Sequence, residues 1–319
     1  MKRLIVFILS VFLIGMVGCS KSPNDVPEND EAVIAQMLLD STELVYDAIT
    51  DETDDAIQDD SPNWLAKSAV TTTSWIKFHF GRIATKPIER NVEVVKDSDT
   101  TATAYIYLKI EGKFKVFKAE GIAPDSALVT KNTKPMIHEI ERIVHLRKVR
   151  NTDNPRKNWR IKDVSMRYGH SPNNTVEIVE LRIMADGQDD VIITDPLEYL
   201  QTGVNLFTFP RQTDVKLRVK VKNTSANKIV YPENTEATEF VRLHYGRNIR
   251  GNHGRSYFKW VGKEGDYNVY EGSWKVMQFR GIHMAVIDVV DNGTVLENDA
   301  QNYPYNSCTW DTRYRVTMF

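Results

Sequence analysis

Cysteine is what this chain most conspicuously lacks. Its 319 residues contain two, Cys19 and Cys308, too few for a disulfide framework, so stability outside the cytoplasm must come from packing. After the opening segment no apolar run is long enough to span a bilayer, which makes the rest of the chain a soluble body. There is no Gly-x-Ser-x-Gly elbow, no phosphate loop and no dinucleotide glycine fingerprint, so the common hydrolase, nucleotidase and dehydrogenase signatures are missing. Gly251-Asn-His-Gly254 is glycine-rich but has no helix after it to hold a phosphate. Basic residues are missing from one long stretch. Ser22 to Ala66 holds thirteen acidic residues and no Lys or Arg.

What is present begins at the first residue. Lys2 and Arg3 precede an apolar run from Leu4 to Val17, broken only by Ser10 and Gly15, and Gly18-Cys19 follows at once. The run is shorter than the ~20 residues of a spanning helix, and the order of parts is that of a secretory signal. A cysteine directly after the apolar segment and a small residue resembles the lipobox of bacterial lipoproteins, with Met16 where that family prefers Leu. The resemblance implies cleavage before Cys19, lipidation of its thiol and attachment by several acyl chains, which is stable where one chain is marginal. Ser20 resembles the sorting position of Gram-negative outer-membrane lipoproteins. Cys308 is then left without a partner and reads as a small packed residue. An ordinary signal peptide with an incidental cysteine is the alternative. These residues divide into a signal at 1–18 and a tether at 19–29.

The net charge of −2 conceals an asymmetry, because from Lys67 onward there are 38 basic against 30 acidic residues. The acidic stretch reads as a solvated segment that holds the body off an anionic membrane. A calcium site at Asp51-Glu52-Thr53-Asp54-Asp55 is the sharper reading, but the glycine and terminal glutamate of an EF-hand loop are absent. The basic run Arg142, Arg147, Lys148, Arg150, Arg156, Lys157 and Arg160 reads as a solvated sheet face, and after export nucleic acid is not its partner.

Apolar residues at helical spacing predict a helix over 30–50, capped by Asn29 or Asp30, and a short one after Ser61-Pro62 anchored by Trp64 and Leu65. From Ser74 the period is that of strands. Ala102–Ile110 and Lys113–Phe117 read as a hairpin across Glu111-Gly112. Met136–Val149 and Trp159–Met166 read as further strands. TSWIKFHFGRI (73–83), the 102–117 stretch and NWRIKDVS (158–165) together resemble the nuclear-transport-factor-2-like family. That resemblance implies an α+β cone over residues 30–170, an N-terminal helix on a curved antiparallel sheet. From Val176 many short strands follow, with a tight turn read at Asp291-Asn292-Gly293. VKLRVKVKN (215–223) and GIHMAVIDVVDNGT (281–294) resemble the immunoglobulin-like modules of bacterial surface proteins, which implies an all-β sandwich over 176–319.

Candidate chemistry is sparse. His138-Glu139 opens like a zinc-protease motif, but Arg142 stands where the second histidine belongs. No metal or cofactor is expected. In the resembled cone fold a cavity can hold a base, and His79 is the only histidine in the early strands. Tyr46, Trp75, Tyr105 and Tyr107 could line a pocket with it. Trp260, Tyr267, Tyr270 and Trp274 could stack on sugars, although their alternation favours a core. The expectation is a non-enzymatic, lipid-anchored envelope protein with a binding or adhesion role, whose partners are the membrane and a protein or carbohydrate. The alternatives are a small-ligand or carbohydrate binder using the first-domain cavity and an enzyme with an unrecognised site there.

Overall fold

The computed structural model describes residues 29–41, 44, 50, 75–121, 128–202, 206–231, 236–247 and 254–318. Cys19, Tyr46, the acidic run at 51–60 and the short helix expected at Trp64 lie outside them.

Helix α1 (Asp30–Leu39) starts at Asn29, whose side chain accepts the Ala32 N–H at 2.8 Å. Asp30 and Glu31 sit in its first turn, where the helix dipole favours negative charge. Val33, Ile34 and Leu38 are buried.

Strands follow. β1 (Trp75–Ala84) and β2 (Glu89–Lys96) lie end to end along one side of β3 (Thr101–Gly121), and β4 (Leu128–Lys148) pairs along the other side of β3. β3 therefore runs straight through Glu111-Gly112, where a hairpin turn was expected. Gly112 serves a close approach instead. A Cβ there would stand 2.0 Å from the Ile83 carbonyl oxygen, so the glycine lets β1 end against β3. β5 (Trp159–Ser165) and β6 (Arg167–His170) pair with the far side of β4.

The remaining strands are β7 (Val176–Ala185), β8 (Val191–Ile193), β9 (Leu200–Gln201), β10 (Phe207–Pro210), β11 (Asp214–Asn223) and β12 (Glu239–Arg247). After them come β13 (Gly254–Tyr257), β14 (Lys259–Glu264), β15 (Tyr267–Lys275), β16 (Gly281–Asp291) and β17 (Ser307–Thr317). Between the last two is helix α2 (Asn292–Leu296). It replaces the tight turn expected at Asp291-Asn292-Gly293. The Asp291 side chain accepts the Gly293 N–H at 2.8 Å and acts as an N-cap, so the chain enters a helical turn rather than reversing directly.

Two sheets result. The larger has twelve strands, eight along the path β1-β3-β4-β6-β17-β16-β12-β13 with β2, β5, β9 and β10 paired beside it, and the smaller has five in the order β14-β15-β11-β7-β8. The larger sheet crosses the expected domain boundary, because β6 pairs with both β4 and β17.

The expected α+β cone joined to a separate immunoglobulin-like sandwich is thereby corrected. Among the described residues the fold is mostly β, 61% strand against 8% helix, with curled antiparallel sheets. The physical reason is the reach of the elements. A helix of ten residues extends about 15 Å, whereas a strand of β3's length runs about 70 Å. The helix described ahead of β1 is too short to form a layer over such strands.

Alternation along β12, β16 and β17 sends residues to two interiors. Val241, Leu243, Ala285, Ile287, Val289, Cys308 and Trp310 join Val215, Leu217 and Val219 of the five-stranded sheet in one core. Val286 and Val290 face the other way and pack with Phe80, Ile106, Phe114, Met136 and Ile140 inside the curl. α1 contributes Ile34 and Leu38 to that second core.

Candidate functional site

Apolar side chains pack the described part of the curled interior, and an ionic cluster sits among them. Asp288 of β16, Arg82 of β1 and Arg242 of β12 are each 0% exposed. Arg82 clasps both Asp288 oxygens, with Nη1–Oδ2 at 2.8 Å and Nη2–Oδ1 at 2.7 Å. The Arg242 Nε–H donates to Oδ2 at 2.9 Å and its Nη1 donates to the Phe80 carbonyl at 2.7 Å. The Arg242 guanidinium also lies 3.9 Å from the Phe80 ring centre, a cation–π contact. His244 Nε2 stands 3.2 Å from Asp288 Oδ2. Burial alone would raise the Asp288 carboxyl, but Arg82 and Arg242 outweigh it and hold the group well below the carboxylate range.

A hydrogen-bonded chain leaves this centre. Arg82 Nε–H donates to the Tyr305 hydroxyl at 2.6 Å. Tyr305 contacts His138 Nδ1 at 2.9 Å, and His138 Nε2 contacts Thr309 Oγ1 at 3.2 Å. Burial, and after it the nearby Arg82 charge, pushes His138 well below its usual value. One ring nitrogen of a neutral imidazole accepts and the other donates, and each here meets a hydroxyl that can do either. A second buried pair, Arg167–Asp311 at 2.9 Å, links β6 to β17. Removed from solvent, these groups tie strands together.

Of the residues expected to form a pocket, His79, Tyr105 and Tyr107 do not project together into this interior. His79 is buried at 7% exposure, and its Nε2 accepts from Arg255 Nη1 at 3.1 Å. It pairs in register with Phe117, roughly 33 Å along β3 from Tyr107 at 3.3 Å per residue. Tyr105 is 47% exposed, on the opposite side of β3 from buried Ala104 and Ile106. Tyr107 shares that outer side. Burial, then a hydrogen bond to Glu139, raises its hydroxyl. Trp75 is the first residue of β1 and pairs with Gly121. For Tyr105 and Tyr107 the cause is parity, since Ala104, Ile106 and Leu108 take the inner face.

The other sequence candidates are also placed. His138 points inward, while its strand neighbour Glu139 belongs to the outer side beside Tyr107. Among the described residues no group of His, Cys, Asp and Glu is arranged to hold a metal. Arg142, expected on a solvated face, is 2% exposed and donates to the Ser165 carbonyl. Tyr270 and Trp274 are core residues, and Trp260 packs against that core. Cys308 is buried, and burial pushes its thiol up to about 12.

Among the described residues an accessible depression lies at the surface, where β5 and β9 meet β16 and β17. It encloses about 140 Å³ and is lined by Ile161, Lys162, Gln201, Ile282, Arg313 and Arg315, among others. Sequence reading missed it because its residues come from four separated segments and no local motif marks them. The alternation Arg313-Tyr314-Arg315-Val316 was the available signal, since it sets two arginines on one face.

No known protein family matches this chain, and no curated protein is significantly similar to it.

Proposed function

We propose that this chain is a lipid-anchored extracytoplasmic protein of the bacterial cell envelope, held through Cys19 and serving binding or adhesion rather than catalysis. The opening segment carries the reading: basic start, apolar run, small residue and cysteine in the order that the lipoprotein signal requires. The thirteen acidic residues that follow within Ser22–Ala66 act as a repelled spacer between an anionic membrane and the body. No described helix is long and apolar enough to cross a membrane, which is compatible with attachment by acyl chains. The non-enzymatic part is supported by burial. Asp288, His138 and His244 are 0% exposed, out of a substrate's reach.

Fractionation of cells expressing the chain with Cys19→Ser is the test. The variant leaves the membrane fraction and no longer incorporates labelled fatty acid. Unchanged membrane association would overturn the anchor. A second reading, a small-ligand binder, is favoured by the groove at β5, β9, β16 and β17, which has both charged and apolar walls.

A further inference from the structure

The groove has a definite chemistry. Three of its lining residues, Lys162, Arg313 and Arg315, are cationic, against one carboxylate, Asp163. Asp163 is already engaged, lying 2.6 Å from His145 Nδ1 and 3.6 Å from Lys162 Nζ. Arg313 and Arg315 project from the same face of β17, roughly 7 Å apart by strand geometry. A guanidinium presents several donors in a fixed fork, suited to phosphate and carboxylate oxygens.

The base of the groove is braced. Gln201 is 5% exposed. Its amide Nε2 donates to Thr312 Oγ1 and to the Arg313 carbonyl, both at 3.1 Å. The β9 segment that carries it pairs with β5 at Val164↔Gln201. The same side chain thus fixes the spacing between the β5 wall and the β17 wall.

Size and rim narrow the ligand further. At about 140 Å³ the groove is well below the ~300 Å³ at which pockets enclose whole small molecules. It admits an end-group. Beside the cations stand two aliphatic side chains left in water, Ile161 at 42% and Ile282 at 40% exposure. Ile282 is the cross-strand partner of Arg315, so charge and apolar surface are adjacent.

We propose that this groove binds the phosphate or carboxylate head of an amphiphile whose apolar stem lies along Ile161 and Ile282. The inference deepens the ligand-binding reading and does not depend on the lipid anchor.

The test uses the full chain in nanodiscs of zwitterionic lipid, titrated calorimetrically with butyl phosphate, butyrate, inorganic phosphate and butanol. Butyl phosphate or butyrate binds at least about tenfold more tightly than both inorganic phosphate and butanol, because only these probes engage cations and rim together. The combined change Arg313→Gln with Arg315→Gln abolishes the preference for the anion over butanol. Should that variant fail to fold, Lys162→Gln is the second probe. Its side chain is 60% exposed, so it folds and weakens butyl phosphate several-fold. Equal binding of butanol and butyl phosphate, or unchanged binding in Lys162→Gln, overturns the proposal. Competition by phosphatidate in the disc assigns the head to a membrane lipid, and no competition assigns it to a soluble amphiphile. The Cys19→Ser chain binds equally, so failure of the groove and failure of the anchor are told apart.

Discussion

Strands β12, β16 and β17 are buried on both sides, yet one face is apolar while the other sets buried charged and polar groups among apolar ones such as Val286 and Val290. Toward the five-stranded sheet they present Val241, Leu243, Ile287, Val289, Cys308 and Trp310. Toward the curl they present Arg242, His244, Asp288, Ser307, Thr309 and Asp311, all at 5% exposure or less. The apolar face is held by area removed from water, which is tolerant of direction. The polar face is held by mutual satisfaction, which tolerates no missing partner. A single residue deleted from each face should therefore behave differently.

The largest effect is expected at Asp288. Asp288→Ala removes the carboxylate that buried Arg82 and Arg242 both clasp, and loss of one partner of a buried pair costs about 3–5 kcal/mol. Urea denaturation should show that loss or no folded protein at all. On the apolar face Leu243→Ala removes a side chain that is 0% exposed, for about 2–5 kcal/mol. Ile287→Val, also on that face, costs only about 0.5–1.5 kcal/mol. Conservative truncation is thus graded on one face, whereas Asp288→Asn on the other already removes the charge. If Asp288→Asn proved as mild as Ile287→Val, the contrast between the faces would fail.

A smaller effect distinguishes the faces by pH. Lys134 of β4 is buried with its Nζ 3.0 Å from the Gly293 carbonyl and 2.5 Å from that of Tyr303. Burial lowers it to about 8, against about 10.4 for an unfolded lysine. Between those values the unfolded chain binds more protons, so stability rises with pH across that window. Native protein should gain in melting temperature relative to Lys134→Met as pH goes from 8 to 10. A constant gap would mean that Lys134 keeps its ordinary affinity for protons. Least of all, Tyr105→Ala on the exposed outer side of β3 should change stability by no more than about 0.5 kcal/mol.

Strand existence was legible in the sequence where alternation was clean, as in β11 with Val215, Leu217, Val219 and Val221 on one face. The start of α1 was legible through Asn29. Architecture was not. Alternation in Phe240-Val-Arg-Leu-His-Tyr245 reads as one wet and one dry face, and nothing local says that the wet face lies under β1 and β4. The arginine clasp spans Arg82 and Asp288, separated by 206 positions, so no spacing rule could join them. Gly112 was misread because a glycine required by a close approach resembles one required by a turn. For the candidate groove only the arginine alternation in β17 was visible. Its other wall depends on how β9 bridges β5 and β17.

The buried ion cluster locks β1 onto β16. A double-mutant cycle on Arg82→Met and Asp288→Asn, read by urea denaturation, tests it most directly. Each single change should cost about 3–5 kcal/mol, with the double change costing close to one of them, because the two groups stabilise one interaction. Costs that add to within about 0.5 kcal/mol would contradict the lock.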